Sequence, residues 1–202
     1  MVKRLASGRH QLTRDEVAAH QKQRLFKSLG TVMGVKGYSN TTVDDLIKAA
    51  GVSRATFYQH FDSKQDCFMA GYARMQSHII DGILGAETAG TPMQRFGIML
   101  GQYLGFIALD PATARLYLIE VYSAGPEAMR RRVELQQEFV AGFVRLFKAR
   151  SKTDRFACQA LVGAISTLVI NTLAEGRSED IPALQKPIEI FAARALGAVA
   201  GS

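Results

Sequence analysis

Six helix starts lie between Thr13 and Pro126, too closely spaced for strands to intervene. Three pair a hydroxyl residue with a carboxylate three positions on: Thr13 with Glu16, Thr42 with Asp45 and Ser63 with Asp66. In each, the hydroxyl takes an orphan amide of the first turn and the carboxylate reaches back to the amide of the cap residue. The other three place proline at the first helical position, where a missing N–H costs nothing: Pro92, Pro111 and Pro126, behind Thr91, Asp110 and Gly125. No stretch alternates apolar and polar residues for long enough to read as a strand. The pattern predicts helices near 13–36, 42–50, 53–60, 63–85, 91–109, 110–123, 126–150, 153–175 and 181–199, the last kinked or delayed by Pro187.

Charge divides the chain. Residues 1–80 hold 12 Lys and Arg against 6 Asp and Glu, whereas residues 81–202 hold 13 against 12. A basic amino-terminal part joined to a near-neutral remainder suits a polyanion-binding module on a separate body. The expected division is a flexible basic arm over 1–12 (Lys3, Arg4, Arg9 and His10), a DNA-binding part over 13–62 and a helical part over 63–202. Cys67 and Cys158 lie far apart and His10, His20, His60 and His78 have no partners at ligand spacing, so neither a disulfide framework nor a metal site is expected. A reducing, cytoplasmic location is the expectation. The longest uncharged run, Phe156–Ala174, approaches membrane-spanning length, but Gln159, Ser166, Thr167, Asn171 and Thr172 interrupt it. It reads as a helix buried on two sides, not as a membrane span.

The most informative segment is 42–64. Val43, Leu46, Ile47 and Ala50 give one apolar face to a short helix, and Gly51 supplies a left-handed turn residue. Ser53 caps a second short helix whose Phe57 and Phe61 point inward, which leaves Arg54, Ala55, Thr56, Tyr58 and His60 largely outside. This is a helix-turn-helix, whose second helix enters the major groove of DNA. Gly37–Tyr38, Thr42–Val43, Ala50-Gly51-Val52-Ser53, Thr56-Phe57-Tyr58, His60–Phe61 and Ser63–Lys64 stand here in an order and spacing that resemble the DNA-binding domain of TetR-family transcriptional regulators. The resemblance covers about residues 20–70. It implies an all-α homodimer with an amino-terminal three-helix DNA-binding domain and a carboxy-terminal ligand-binding and dimerisation bundle.

The expected DNA-binding residues are Thr42, Ser53, Arg54, Ala55, Thr56, Tyr58, His60 and Lys64. Arg54 suits guanine O6 and N7, and Thr56 suits a base edge or a thymine methyl. Thr42, Ser53 and Lys64 stand at helix starts, where amides and an ammonium suit phosphate, and His60 resembles a phosphate-contacting position of the family. The expected partner is double-stranded, palindromic operator DNA; the alternative is a protein-interaction module using the same fold.

The remainder carries no GxSxG, Walker loop, GxGxxG or HExxH, so neither an enzyme nor a cofactor is expected. Gly97, Gly101 and Gly105 repeat every four residues on one helix. The stripe serves either close helix packing or a ligand space walled by Met99, Tyr103, Phe106, Tyr117 and Tyr122, with packing favoured at Gly97 and a pocket at Gly101 and Gly105. Met129, Val133, Gln136, Val140, Phe143 and Phe147 read as a core seam, and Arg130, Arg131 and Arg132 as a solvated surface. A small-residue stripe, Ala160, Ala164, Thr167, Asn171 and Ala174, together with the last helix, reads as a four-helix dimer contact. The implied mechanism is a small molecule in the bundle that releases the regulator from its operator.

Overall fold

The computed structural model describes residues 13–81 and 89–196, so the basic arm expected over 1–12 lies outside the described residues. Every regular element among the described residues is helical. Helix α1, Arg14–Ser28, opens on its capping box: the Thr13 hydroxyl accepts from the Glu16 amide at 3.2 Å and the Glu16 carboxylate accepts from the Thr13 amide at 2.7 Å. It continues through a π turn, Leu29–Met33, into the single turn α2, Gly34–Lys36, where Gly37 stops it at φ 81°. The pair α3, Val43–Ala50, and α4, Arg54–His60, is joined by Gly51 in the left-handed conformation, φ 60°. After α5, Lys64–Ile79, come α6, Pro92–Leu109, and α7, Pro111–Leu118, which ends in a 3-10 segment, Glu120–Ser123. Helices α8, Pro126–Leu146, and α9, Lys152–Ala174, lead through a second 3-10 segment, Ser178–Leu184, to α10, Gln185–Leu196.

The caps follow the sequence with small departures. At α5 the Ser63 hydroxyl accepts from the Asp66 amide as expected, but the Asp66 carboxylate takes the amide of Asp62, not that of Ser63. Two further boxes are formed, Thr91 with Gln94 and Ser151 with Asp154. Pro187 lies in the first turn of α10, and the 3-10 segment before it contains Pro182, so proline delays this helix and does not kink it.

One continuous apolar cluster runs from Leu25 to Leu196. Its aromatic centre is Phe68, Tyr72 and Tyr117, with ring centroids 5.5–6.0 Å apart. The amino-terminal helices join the bundle where side chains are missing. A Cβ on Gly30 would collide with the Thr113 hydroxyl, and one on Gly34 would collide with the backbone carbonyl of Ala112. Beside them the Glu120 carboxylate accepts from the Tyr38 amide at 2.7 Å.

Three expectations for the bundle change. The inward side of α8 carries Ala128, Arg132, Phe143 and Leu146, whereas Val133 is 46% exposed. Phe143 and Phe147 of the expected seam are thus buried, but in the first half of α8 the buried positions are Ala128 and Arg132, one residue before Met129 and Val133. Gly97 and Gly101 face Glu189 and Gln185 of α10, with Gln185 Nε2 donating to the Gly97 carbonyl at 3.1 Å. The stripe thus serves packing at both positions, and Gly101 does not open a pocket. Gly105 has no atom within 4 Å of where its Cβ would lie.

Helix α9 buries Cys158, Leu161, Val162, Ile165, Val169 and Leu173, while Ala160, Gly163, Thr167 and Asn171 lie exposed on the other side. It is long and apolar enough to cross a membrane, with mean hydropathy 1.7. Here, however, its inward row packs into the bundle, and the Arg115 guanidinium donates to the Leu173 carbonyl at its end. The outward side is open in one protomer.

The glycine contacts predict opposite outcomes for one added methyl. Gly34→Ala, forced against the Ala112 backbone, is expected to cost about 1–3 kcal/mol. Gly105→Ala, in open space within a helix, should stabilise by about 0.5–1 kcal/mol. Urea unfolding of both variants checks the signs.

Candidate nucleic-acid interface and internal cavity

The turn between α3 and α4 is fixed from behind. Arg24 of α1 donates to the Gly51 carbonyl, and its guanidinium occupies the space a side chain at position 51 would need. Phe57 is fully buried and Phe61 is 5% exposed, their rings 5.8 Å apart, with Phe26 of α1 5.7 Å from Phe61. This aromatic wedge fixes the rotation of α4 about its own axis. Arg54, Ala55 and Tyr58 are consequently exposed and Thr56 is half-buried. Tyr58 meets Phe57 edge-on, at 5.3 Å, yet remains 48% exposed.

The polar residues at the helix starts are engaged within the protein. The Ser53 hydroxyl accepts from the Thr56 amide at 3.0 Å and lies 2.9 Å from the Thr56 hydroxyl. Thr42 caps α3, and its hydroxyl donates to Asp45 at 2.8 Å. Lys36, 2.9 Å from Asp45, and the Thr42 amide and hydroxyl together hold that carboxyl well below its usual range. Arg54 is paired with Asp44 across the turn. Both side chains are more than half exposed, so the pair is weak enough for a stronger partner to displace.

Two expected phosphate-facing residues have internal partners that sequence spacing cannot show. Lys64 donates to the carbonyls of Tyr38, at 2.8 Å, and Thr41, at 2.9 Å, and lies 4.2 Å over the Tyr38 ring. Burial lowers its pKa. It clamps the loop that delivers the chain to the start of α3. The Nε2 of His60 lies 2.9 Å from the Gln21 side-chain oxygen on α1. Burial, aided by Lys22, lowers its pKa.

The bundle holds a partly open cavity of about 80 Å³ whose walls include Met99, Tyr103, Arg132, Phe139, Ile165 and Ser166. Of the five expected ligand residues, Met99 and Tyr103 line it. Tyr117 belongs instead to the aromatic core, 5.5 Å from Tyr72, and Phe106 is 46% exposed. Tyr122 reaches the cavity only through Arg132, whose Nε donates to its hydroxyl at 3.1 Å. Burial pushes the Tyr103 hydroxyl up to about 12, so it remains protonated.

Arg132 overturns its reading as solvated surface: it is 6% exposed. Three consecutive helical residues fan 100° apart, so a helix with one buried side turns one of three successive arginines inward. The four-residue spacing from Ala128 was the available signal; its charge argued against it.

Residues 31–70 match the sequence profile of bacterial regulatory proteins of the tetR family. Over that segment, which holds the helix-turn-helix, the chain is similar to the tetR family. It is 24% identical over 113 residues to IcaR of Staphylococcus epidermidis, a negative transcriptional regulator of a biofilm operon, covering 56% of this chain and 59% of that one. It is 29% identical over 119 residues to the transcriptional activator FasR of Mycolicibacterium smegmatis, covering 58% and 52%. The matches therefore span little more than half the length of these curated relatives. Among solved structures, FadR of Bacillus halodurans has a TM-score of 0.74 at 20% identity, covering 85% of this chain and 93% of that one. FadR of Bacillus subtilis, solved in complex with stearoyl-CoA, has a TM-score of 0.74 at 18% identity, covering 87% and 98%. At these identities the likeness is one of fold.

The clamp generates a measurable expectation. Lys64→Met leaves the Tyr38 and Thr41 carbonyls without their donor and should cost about 1–3 kcal/mol of stability, read by urea denaturation of the whole chain. An unchanged midpoint would show that the clamp holds nothing.

Proposed function

We propose that this chain is a dimeric, sequence-specific DNA-binding transcriptional regulator of the TetR family, acting in the cytoplasm as a repressor that a small molecule releases from a palindromic operator. The observation that carries the reading is the orientation of α4: with Phe57 and Phe61 buried, Arg54, Ala55, Thr56 and Tyr58 form its outward part. A short helix presenting these groups suits the major groove, where Arg54 meets guanine and Thr56 a base edge or methyl. On docking, Arg54 exchanges Asp44 for a base. Lys64 and His60 serve this surface from behind, and Thr42 and Ser53 hold the helix starts that approach the backbone. The functional division runs at 62–63, with DNA reading before it and ligand response after it.

A second copy accounts for the open side of α9, where Ala160, Gly163, Thr167 and Asn171 are exposed beside Ile190 and Phe191 of α10, which are 44% and 47% exposed. Pairing these helices with their equivalents sets two copies of α4 on one side of a dimer. They can then read half-sites about one helical turn, 34–36 Å, apart. The stearoyl-CoA of the Bacillus subtilis neighbour supports a ligand within this architecture. Release follows if the ligand favours a dimer in which that spacing is lost.

Binding to sequences selected from random DNA tests the reading surface. Arg54→Ala or Thr56→Ala should relax preference by about 1–3 kcal/mol per lost base contact. If Arg54→Ala weakens all sequences equally, the base-reading role is wrong.

Asn171→Arg, which buries an unpaired charge between the paired helices, should cost about 3–5 kcal/mol and give monomers in sedimentation. A dimer with an unchanged dissociation constant removes α9 from the interface.

A further inference from the structure

Arg132 is the one charged side chain among those lining the cavity. The residue is only 6% exposed. It donates to the Tyr122 hydroxyl and to the Ser166 hydroxyl, each at 3.1 Å, and packs 5.1 Å from the Tyr122 ring centroid. Gln136 donates to the same Ser166 oxygen at 3.5 Å. All these partners are neutral. None of the ion pairs among the described residues includes Arg132. Burying a permanent cation without an anion is costly, and neutral hydroxyls only partly replace its hydration. The fork geometry of the guanidinium matches a carboxylate in two parallel hydrogen bonds.

The rest of the wall sets the other end of the ligand. Met99, Tyr103, Phe139 and Ile165 offer an apolar surface, and the space of about 80 Å³ is several times the roughly 10–15 Å³ that a single water needs. It fits a compact body of a few carbons. On the regulator reading, we infer that the effector is a small organic carboxylate, its acid group paired with Arg132 and its hydrocarbon end among these four residues. The ligand supplies the negative charge the cavity lacks.

Butyrate and benzoate, each against its uncharged amide, butyramide and benzamide, are the probes. Calorimetry with the full chain should show each carboxylate binding at least ten-fold more tightly than its amide. Arg132→Met should abolish that preference, and Arg132→Lys should retain part of it. In case Arg132→Met does not fold, the wild-type protein carries a second readout: the Arg132 Nε–H resonance should shift on titration with butyrate and not with butyramide. Equal binding of acid and amide, no binding of either acid, or unchanged preference in Arg132→Met overturns the inference. None of these measurements involves DNA. Carboxylate preference without operator binding would therefore sink the regulator reading alone, and operator binding without carboxylate preference would sink only the effector class.

Discussion

The amino-terminal helices are held to the bundle at backbone distance, because the π turn and α2 meet α7 through Gly30 and Gly34. A π turn carries one more residue than an α turn and so rotates the helix beyond it. The same junction is secured by polar groups on both sides of one residue. Glu120 takes the Tyr38 amide, and Lys64 gives to the Tyr38 carbonyl and to that of Thr41. The next residue, Thr42, caps α3, and α3 carries Asp44, which holds Arg54. Thus the position of the reading surface derives from contacts made at its rear, in the bundle.

The cavity lies close to this junction along the chain of hydrogen bonds. Arg132 holds Tyr122, and Tyr122 shares a single 3-10 segment with Glu120. Movement of the guanidinium therefore loads the segment whose other polar contact is the Tyr38 amide. Helix α7, which carries the steric contact, also ends α9 through Arg115 and the Leu173 carbonyl. The helix whose outer side is open to a second protomer is thereby tied to the element on which the amino-terminal helices rest. The cavity, the outward side of α9 and the α3–α4 pair are thus all linked through α7 and its 3-10 extension.

Much of this architecture was legible because its signals are local. Thr13, Thr42, Pro92, Pro111 and Pro126 mark helix starts through groups within one turn, and Gly51 marks its turn through its own φ. The aromatic wedge was equally plain, since Phe57 and Phe61 share one side of a helix by spacing alone. The features that escaped reading depend on partners far along the chain. Nothing near Lys64 indicates that Tyr38 and Thr41 need its ammonium, and nothing near His60 points to Gln21. Arg132 was missed for a different reason. Hydropathy gives an arginine to water, while the period of α8 gives this one to the core, and here the period prevailed. At Gly101 the pattern of missing side chains was correct in sequence, but only the path of α10 shows that Gln185 fills the space.

The residues that shape the cavity and those that dock the amino-terminal helices are separate sets. Met99, Tyr103, Phe139, Ile165 and Ser166 line the space, whereas Gly30, Gly34, Ala112, Thr113 and Glu120 make the junction. Substitutions in the first set can reshape the cavity while the residues of the second set keep their own contacts. Descendants of such a chain are thus free to drift toward new chemical cues while inheriting the docking geometry intact, and duplication followed by divergence of the cavity wall yields sensors that differ in input before they differ in address.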